Sequence, residues 1–240
     1  MNNIFGAPRK DEDSDWLSVS DLMAGLMVIF LFIAIIFIRP LTEQKIILEQ
    51  QQERVTEIAS TWQETETNIY EALVSEFQDD LSAWNAEIEK ETLLLRFKAP
   101  EVLFAEGQSE IRVRFREILS DFFPRYVGVL SDFRAAIEEI RIEGHTSSKW
   151  NGVSPEQAYY NNMALSQART REVLRFALSI PDIEGEKAWL QTLLTANGLS
   201  SSRPIINQFG AEDPDLSRRV EFRVRTKARS EIVKILEEVQ

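Results

Sequence analysis

The stretch RVRFREILSDFFPRYVGVLSDFRAAIEEIRIEGH, Arg112 to His145, carries two periodicities in succession. Phe115, Ile118, Leu119, Phe122, Phe123, Val127 and Leu130 recur at helical spacing, which predicts one apolar face on a helix from Arg112 to Phe133. Ile140 and Ile142 then alternate with charged neighbours, as a half-exposed strand requires. Pro124 lies inside the helical stretch, where its missing N–H and its ring are expected to kink or interrupt the helix. A helix that hands over to a strand implies a sheet with helices packed on it.

The same alternation continues on both sides. Upstream, ETLLLRFKAPEVLF (91–104) is apolar and β-compatible. Downstream, Asn162 to Ile180 reads as a helix with Leu165, Val173, Leu174 and Leu178 on its apolar side. Trp189 to Leu194 reads as another helix, ended by ANG. RRVEFRVRT alternates Val220, Phe222 and Val224 as a strand, and Glu231 to Val239 closes as an amphipathic helix. The fold class is therefore mixed α/β, of the α+β kind, over residues 92–240.

Residues 39–91 have a different character. Val55, Ile58, Trp62, Ile69, Leu73, Phe77, Leu81, Trp84 and Ile88 fall mostly three or four apart among Glu and Gln, which predicts one long helix with a single apolar stripe. Such a stripe needs cover, either from a second copy in a coiled coil or from the chain's own domain. Pro40 is expected to break or redirect the helix at its start.

Residues 16–38, WLSVSDLMAGLMVIFLFIAIIFI, read as a single membrane-spanning helix. Leu22 to Ile38 has no charged residue and gives about 25 Å of apolar helix. With Trp16 to Asp21 the length reaches roughly 34 Å, enough for a hydrocarbon core of about 30 Å. No small-residue cleavage site follows, which argues against a removable signal peptide. Basic residues flank both ends, so charge counting leaves the orientation open. Asp21 is the anomaly. A carboxylate at the centre of a spanning helix costs about 2.5–3.5 kcal/mol and by default marks an ion path. Asp21 also fits a helix-start cap, since SVSD resembles a capping sequence.

Composition narrows the function. A formal net charge of −12 and no concentrated basic patch exclude nucleic acid as a direct partner. The absence of cysteine excludes disulfides, thiol chemistry and a lipid-modified cysteine anchor. His145, the single histidine, has neither a nucleophile nor a second histidine beside it, so it reads as a structural residue at a strand end. No enzymatic activity, metal or cofactor is expected.

Four motifs in register, LFAEGQSEI, IEGHTSS, NMALSQARTREV and SRRVEFRV, make residues 92–240 resemble the OmpA/MotB family of peptidoglycan-binding domains, whose core runs βαβαββ. With the anchor SVSDLMAGLMVIFLFIAI and Ser147 where flagellar members usually carry Asp, the chain is similar to MotB-type stator subunits of Zorya anti-phage defence systems. In N-x-x-L-S-x-x-R the motif positions are Asn162, Leu165, Ser166 and Arg169, and the resemblance gives Arg169 the free carboxylate of a diaminopimelate stem peptide. A planar guanidinium suits that task because it can bind a carboxylate in bidentate fashion. Ser147 stands at the family's Asp, and Asn161 at its usual Tyr, with Tyr159 and Tyr160 displaced upstream. His145, Thr146 and Arg218 complete the expected peptidoglycan-binding set. Trp150 is either a surface on which a glycan stacks or a rim residue.

The resemblance further implies that Asp21 is the ion carrier, with Ser18 and Ser20 in support and H+ or Na+ as the transported cation. It implies a homodimer inside a ring of a MotA-like multi-span membrane subunit, ZorA in a Zorya system. Residues 1–15 would then be cytoplasmic and the large domain periplasmic, with the anchor in the inner membrane. Residues 181–200 read as a helical insertion without an assigned role. A flagellar-type stator and a passive envelope tether are the competing functions, and a tether would tolerate loss of the Asp21 charge.

Overall fold

A computed structural model describes residues 12–98, 100–228 and 230–231. In chain order the elements are α1 (Glu12–Phe77), β1 (Ala86–Glu89), β2 (Leu94–Phe97), α2 (Pro100–Leu103), α3 (Val113–Ser131), β3 (Ile137–Gly144), α4 (Pro155–Ser179), a 3-10 helix (Pro181–Glu186), α5 (Lys187–Leu193), β4 (Leu194–Gly198), α6 (Pro214–Ser217) and β5 (Val220–Thr226). Two units divide the chain after Glu57.

In the first unit, α1 presents Leu22, Met23, Leu26 to Ile33 and Ile35 to Ile38 without cover on any side. An 18-residue window of this helix has a mean hydropathy of 2.8, and among the described residues it is the one helix long and apolar enough to cross a membrane. A helix apolar all round needs an apolar surround. The expected break at Pro40 does not occur, because α1 is continuous through it. The capping explanation of Asp21 also fails: α1 begins at Glu12, so Asp21 lies about two and a half turns inside the helix. Ser20 and Asp21 are exposed, whereas the Ser18 side chain and residues 1–11 lie outside the described residues.

The second unit is a five-stranded sheet in the order β1-β2-β5-β3-β4, antiparallel except for the β3–β4 pair. From β2 onward the succession β2-α3-β3-α4-β4-β5 gives the expected βαβαββ core, and β1 adds an edge strand. Alternation fixes the faces. Phe97, Ile140, Ile142, Val220, Phe222 and Val224 point into the core with α3 and α4. Phe222 is its centre, with ring centroids 5.0 Å from Phe122, 5.9 Å from Tyr126, 6.0 Å from Phe97 and 6.2 Å from Phe123. Tilted and edge-on pairs of this kind contribute about 0.5–1.5 kcal/mol each beyond their burial.

The opposite sheet face is a ladder of charge. Arg96 bonds Glu221 at 2.7 Å, Arg223 bonds Glu143 at 3.2 Å, and Arg225 bonds Glu139 at 3.0 Å, each pair crossing between neighbouring strands. Burial raises the Glu139 carboxyl, but Arg141, Thr195 and Arg225 outweigh it and hold it at about 2.

Three further expectations need correction. The helix of residues 39–91 ends at Phe77, and Ile88 belongs to strand β1. Ile69, Leu73 and Phe77 of its stripe are buried in the core, and Arg125 of α3 clasps this end through Glu76 at 2.6 Å and Asp80 at 2.9 Å. Asn85, at φ 51°, turns the chain into the β1–β2 hairpin. Second, LTANG is strand β4 and not a helix end, so part of the 181–200 insertion completes the sheet edge. Third, α3 runs through Pro124 uninterrupted, with Phe122, Phe123, Tyr126 and Val127 buried on either side of the proline. Of the helix expected at 231–239, all but Glu231 lies outside the described residues.

Two glycines let α4 approach the sheet. A Cβ on Gly198 would lie 2.2 Å from the Gln167 backbone nitrogen, and one on Gly144 would lie 2.6 Å from the Thr170 methyl and 3.1 Å from the Ser166 carbonyl oxygen. Gly198→Ala should therefore force α4 away and cost about 1–3 kcal/mol, as overpacking does. Gly185→Ala, with nothing within 4 Å of its new methyl, should leave stability nearly unchanged. Thermal unfolding of the two variants in detergent checks this.

Candidate functional site

Helix α4 begins where its sequence says it should. Ser154 accepts from the Gln157 N–H at 3.2 Å, Pro155 opens the first turn and Glu156 follows it. From this start Asn162, Leu165 and Arg169 project in turn along one face toward a cleft. The cleft has a volume of about 560 Å³ and is walled by three segments besides α4: Phe104 to Gly107 with Arg112, the turn Thr146 to Asn151, and Arg218.

Arg169 lies at its back. Its Nε donates to the Gln108 carbonyl at 2.8 Å and its Nη2 to the Ala105 carbonyl at 3.2 Å, while its guanidinium carbon stands 4.8 Å from the Phe104 ring centroid. Two donors thus clamp the 105–108 turn, and Nη1 remains for another acceptor. No carboxylate pairs with Arg169 among the described residues, although the side chain is only 8% exposed. Burial, reinforced by the nearby Arg218 charge, lowers this guanidinium to about 10. It still carries its charge at neutral pH.

Three polar atoms near Arg169 are left without partners. Asn162 Nδ2, Thr146 Oγ1 and Arg218 Nε are buried without a hydrogen-bond partner within the protein. Buried polar atoms normally find partners, so three around one cleft leave hydrogen-bonding capacity there for water or a ligand. Arg218 also pairs with Asp215.

The turn that carries Thr146 and Ser147 is held from two sides. The Thr146 N–H donates to the Ser200 carbonyl at 2.9 Å, and the Ser200 N–H donates to Ser166 Oγ at 3.0 Å, which ties the turn to α4. Ser200 is fully buried at φ 52°. Ser148 donates its N–H to Glu212 at 3.0 Å, and its hydroxyl bonds the same carboxylate. Ser166 of the motif is therefore a positioning residue, and Ser200 is one that the sequence did not reveal.

His145 lies beneath the cleft, not in it. Its N–H donates to the Arg219 carbonyl at 3.0 Å, and its Nε2 lies 3.3 Å from Glu221 and 4.0 Å from Glu143. Neither ring nitrogen achieves hydrogen-bond geometry. Glu143, His145 and Glu221 come close enough to hold a metal ion, but Arg219 and Arg96 bind Glu221 at 2.6 and 2.7 Å and Arg223 binds Glu143 at 3.2 Å. With those cations in place the donor set does not fit a metal. Burial lowers the His145 imidazole against the pull of Glu221. Burial raises the Glu221 carboxyl, yet His145 and Arg219 together bring it well below the usual carboxylate range.

The structure thus gathers Thr146, Ser147, Asn162, Leu165, Arg169 and Arg218 around one cleft. Tyr160 stands apart and exposed, and Asn161 accepts from Gln157 Nε2 at 2.9 Å on the same helix. Trp150 joins the cleft wall, as do Glu106, Arg112 and Lys149, which sequence reasoning did not single out. Glu106 lies within the LFAEGQSEI motif, whereas nothing local in the sequence marks Arg112 or Lys149.

No protein-family model matches the chain. It is 46% identical over 242 residues to the Zorya protein ZorB of Escherichia coli, covering 99% of this chain and 100% of that protein. Among solved structures, a MotB-like protein from Desulfovibrio vulgaris matches with a TM-score of 0.51 and 24% identity, over 70% of this chain and 94% of that one. The periplasmic domain of Helicobacter pylori MotB matches with a TM-score of 0.43 and 14% identity, over 64% and 89%.

Acid should destabilise the second unit over two pH ranges through the His145–Glu221 pair. The folded imidazole is lowered from 6.5, so its contribution is present above that pH and is lost as pH falls below it. Glu221, lowered from 4.5, adds a second loss only below that value. His145→Gln should remove the loss that sets in below pH 6.5 and, by taking away one of the two groups that lower Glu221, should weaken but not abolish the loss below 4.5, as read by unfolding midpoints against pH.

Proposed function

The chain belongs to the ZorB family, and from that premise we propose that it is the wall-anchored subunit of an ion-driven motor serving anti-phage defence. One observation carries the anchoring half: a buried Arg169 with no carboxylate partner among the described residues, at the back of a cleft around which Asn162 Nδ2, Thr146 Oγ1 and Arg218 Nε lack hydrogen-bond partners within the protein. A guanidinium so placed offers a fixed, partly desolvated site for a carboxylate. The ligand is peptidoglycan, and the group at Arg169 is the free carboxylate of its diaminopimelate stem. Asn162, Thr146, Ser147 and Arg218 supply the surrounding donors. Leu165 and Phe104 give the apolar wall against which the stem's methylene chain lies.

The motor half rests on Asp21. Its place well inside α1, within a helix apolar on every side, supports a role in transport and not in capping. A carboxyl that takes up a cation in one environment and gives it up in another converts ion flow into repeated changes of charge. Each elementary charge crossing about 100 mV releases roughly 2.3 kcal/mol. Ser20, and Ser18 one turn before Asp21, assist it, and the cation is H+ or Na+. A single helix cannot enclose an ion path, so two copies act within a MotA-like multi-span partner of the ZorA type. The N-terminus is cytoplasmic, the spanning helix sits in the inner membrane, and the cleft faces peptidoglycan in the periplasm.

Cells carrying the complete defence locus with Asp21→Asn should lose protection against phage plaquing while keeping wild-type membrane abundance. Intact protection in that strain would overturn the motor half and leave a passive tether.

A further inference from the structure

The charge lining the cleft is lopsided. Arg112, Lys149, Arg169 and Arg218 are cationic, and Glu106 is the one carboxylate among the lining residues. Neither Glu106, Arg112, Lys149 nor Arg169 forms an ion pair within the described residues, although the rest of the domain is laced with them. Glu106 is exposed at the rim, on the turn whose Ala105 and Gln108 carbonyls Arg169 clamps. Gly107, at φ 67°, gives that turn its shape. The turn that Arg169 clamps therefore brings one carboxylate to the wall of the cleft that the guanidinium also lines. Ser147, on the facing wall, offers a hydroxyl and no charge.

We propose that Glu106 reads the ammonium of a zwitterionic amino-acid end while Arg169 takes the carboxylate of the same end. The inference rests on the peptidoglycan reading and adds a specificity to it. A stem peptide whose side-chain amine is free presents both charges, and one whose amine is acylated by cross-linking presents only the carboxylate. The cleft then selects uncross-linked stems, because discrimination is a difference between two affinities and the acylated ligand leaves Glu106 facing an uncharged amide. An anion-only ligand would be served by the four cations and would gain nothing from Glu106.

The test uses the full chain in detergent and isothermal titration with the tripeptide L-Ala-γ-D-Glu-meso-diaminopimelate, against the same tripeptide N-acetylated at the side-chain amine. Wild type is expected to bind the free amine at least tenfold more tightly. Glu106→Gln, with an unchanged melting temperature, is expected to bind both peptides alike at the weaker level. A wild type that does not discriminate, or a Glu106→Gln protein that keeps the tenfold preference, overturns the proposal and leaves peptidoglycan binding standing. Binding of neither peptide by a folded wild type overturns both.

Discussion

Helix α4 lies so close to strands β3 and β4 that a methyl group at Gly144 or Gly198 would collide with it. That closeness positions the rest of the cleft. It brings Ser166 within reach of the Ser200 N–H, and Ser200 in turn accepts from Thr146, so the turn after β3 is fixed to the helix that carries Asn162 and Arg169. From the same helix Arg169 reaches across to the carbonyls of Ala105 and Gln108. Three segments far apart in sequence are thereby held around a single guanidinium. Such a charge is costly to bury without a counter-ion, and the fold supports it with carbonyl dipoles and the Phe104 ring.

The two faces of the sheet divide the labour. Toward α3 and α4 the sheet is aromatic and dry, centred on Phe222. On its other face, Glu143 and Glu221 are almost fully buried beneath arginines contributed by neighbouring strands. This ladder reaches the cleft through His145, whose backbone N–H bonds Arg219 and whose ring lies against Glu221. His145 therefore supports the site from below, as a histidine without a nucleophile or a second histidine suggests.

Much of this was legible in sequence wherever one period dominated. The switch from helical to alternating spacing between Arg112 and His145 located α3, β3 and the sheet, and the motif residues Asn162, Leu165 and Arg169 do meet in one cleft. What escaped were elements whose sequence obeys two patterns at once. Residues 78–91 continue the helical spacing of Leu81, Trp84 and Ile88, yet the chain turns at Asn85 and pairs as a hairpin with β2. LTANG carries no strong β signal, because β4 is a short edge strand whose last residue must be glycine to clear Gln167. The site residues Arg112, Lys149 and Ser200 come from loops or helix edges, where tertiary placement and not local pattern decides their neighbours. Tyr160 and Asn161 sit beside the motif in sequence but outside the cleft, since α4 turns them away from it.

Anchoring through Arg169 is the central claim, because a motor can deliver torque only against a fixed support. Co-sedimentation of the detergent-purified full chain with isolated sacculi tests it directly, comparing wild type with an Arg169→Ala protein of matched unfolding temperature. Wild type is predicted to pellet with the sacculi and the Arg169→Ala protein to bind at least tenfold more weakly. Equal sedimentation of the two, or no sedimentation of wild type, would contradict the account.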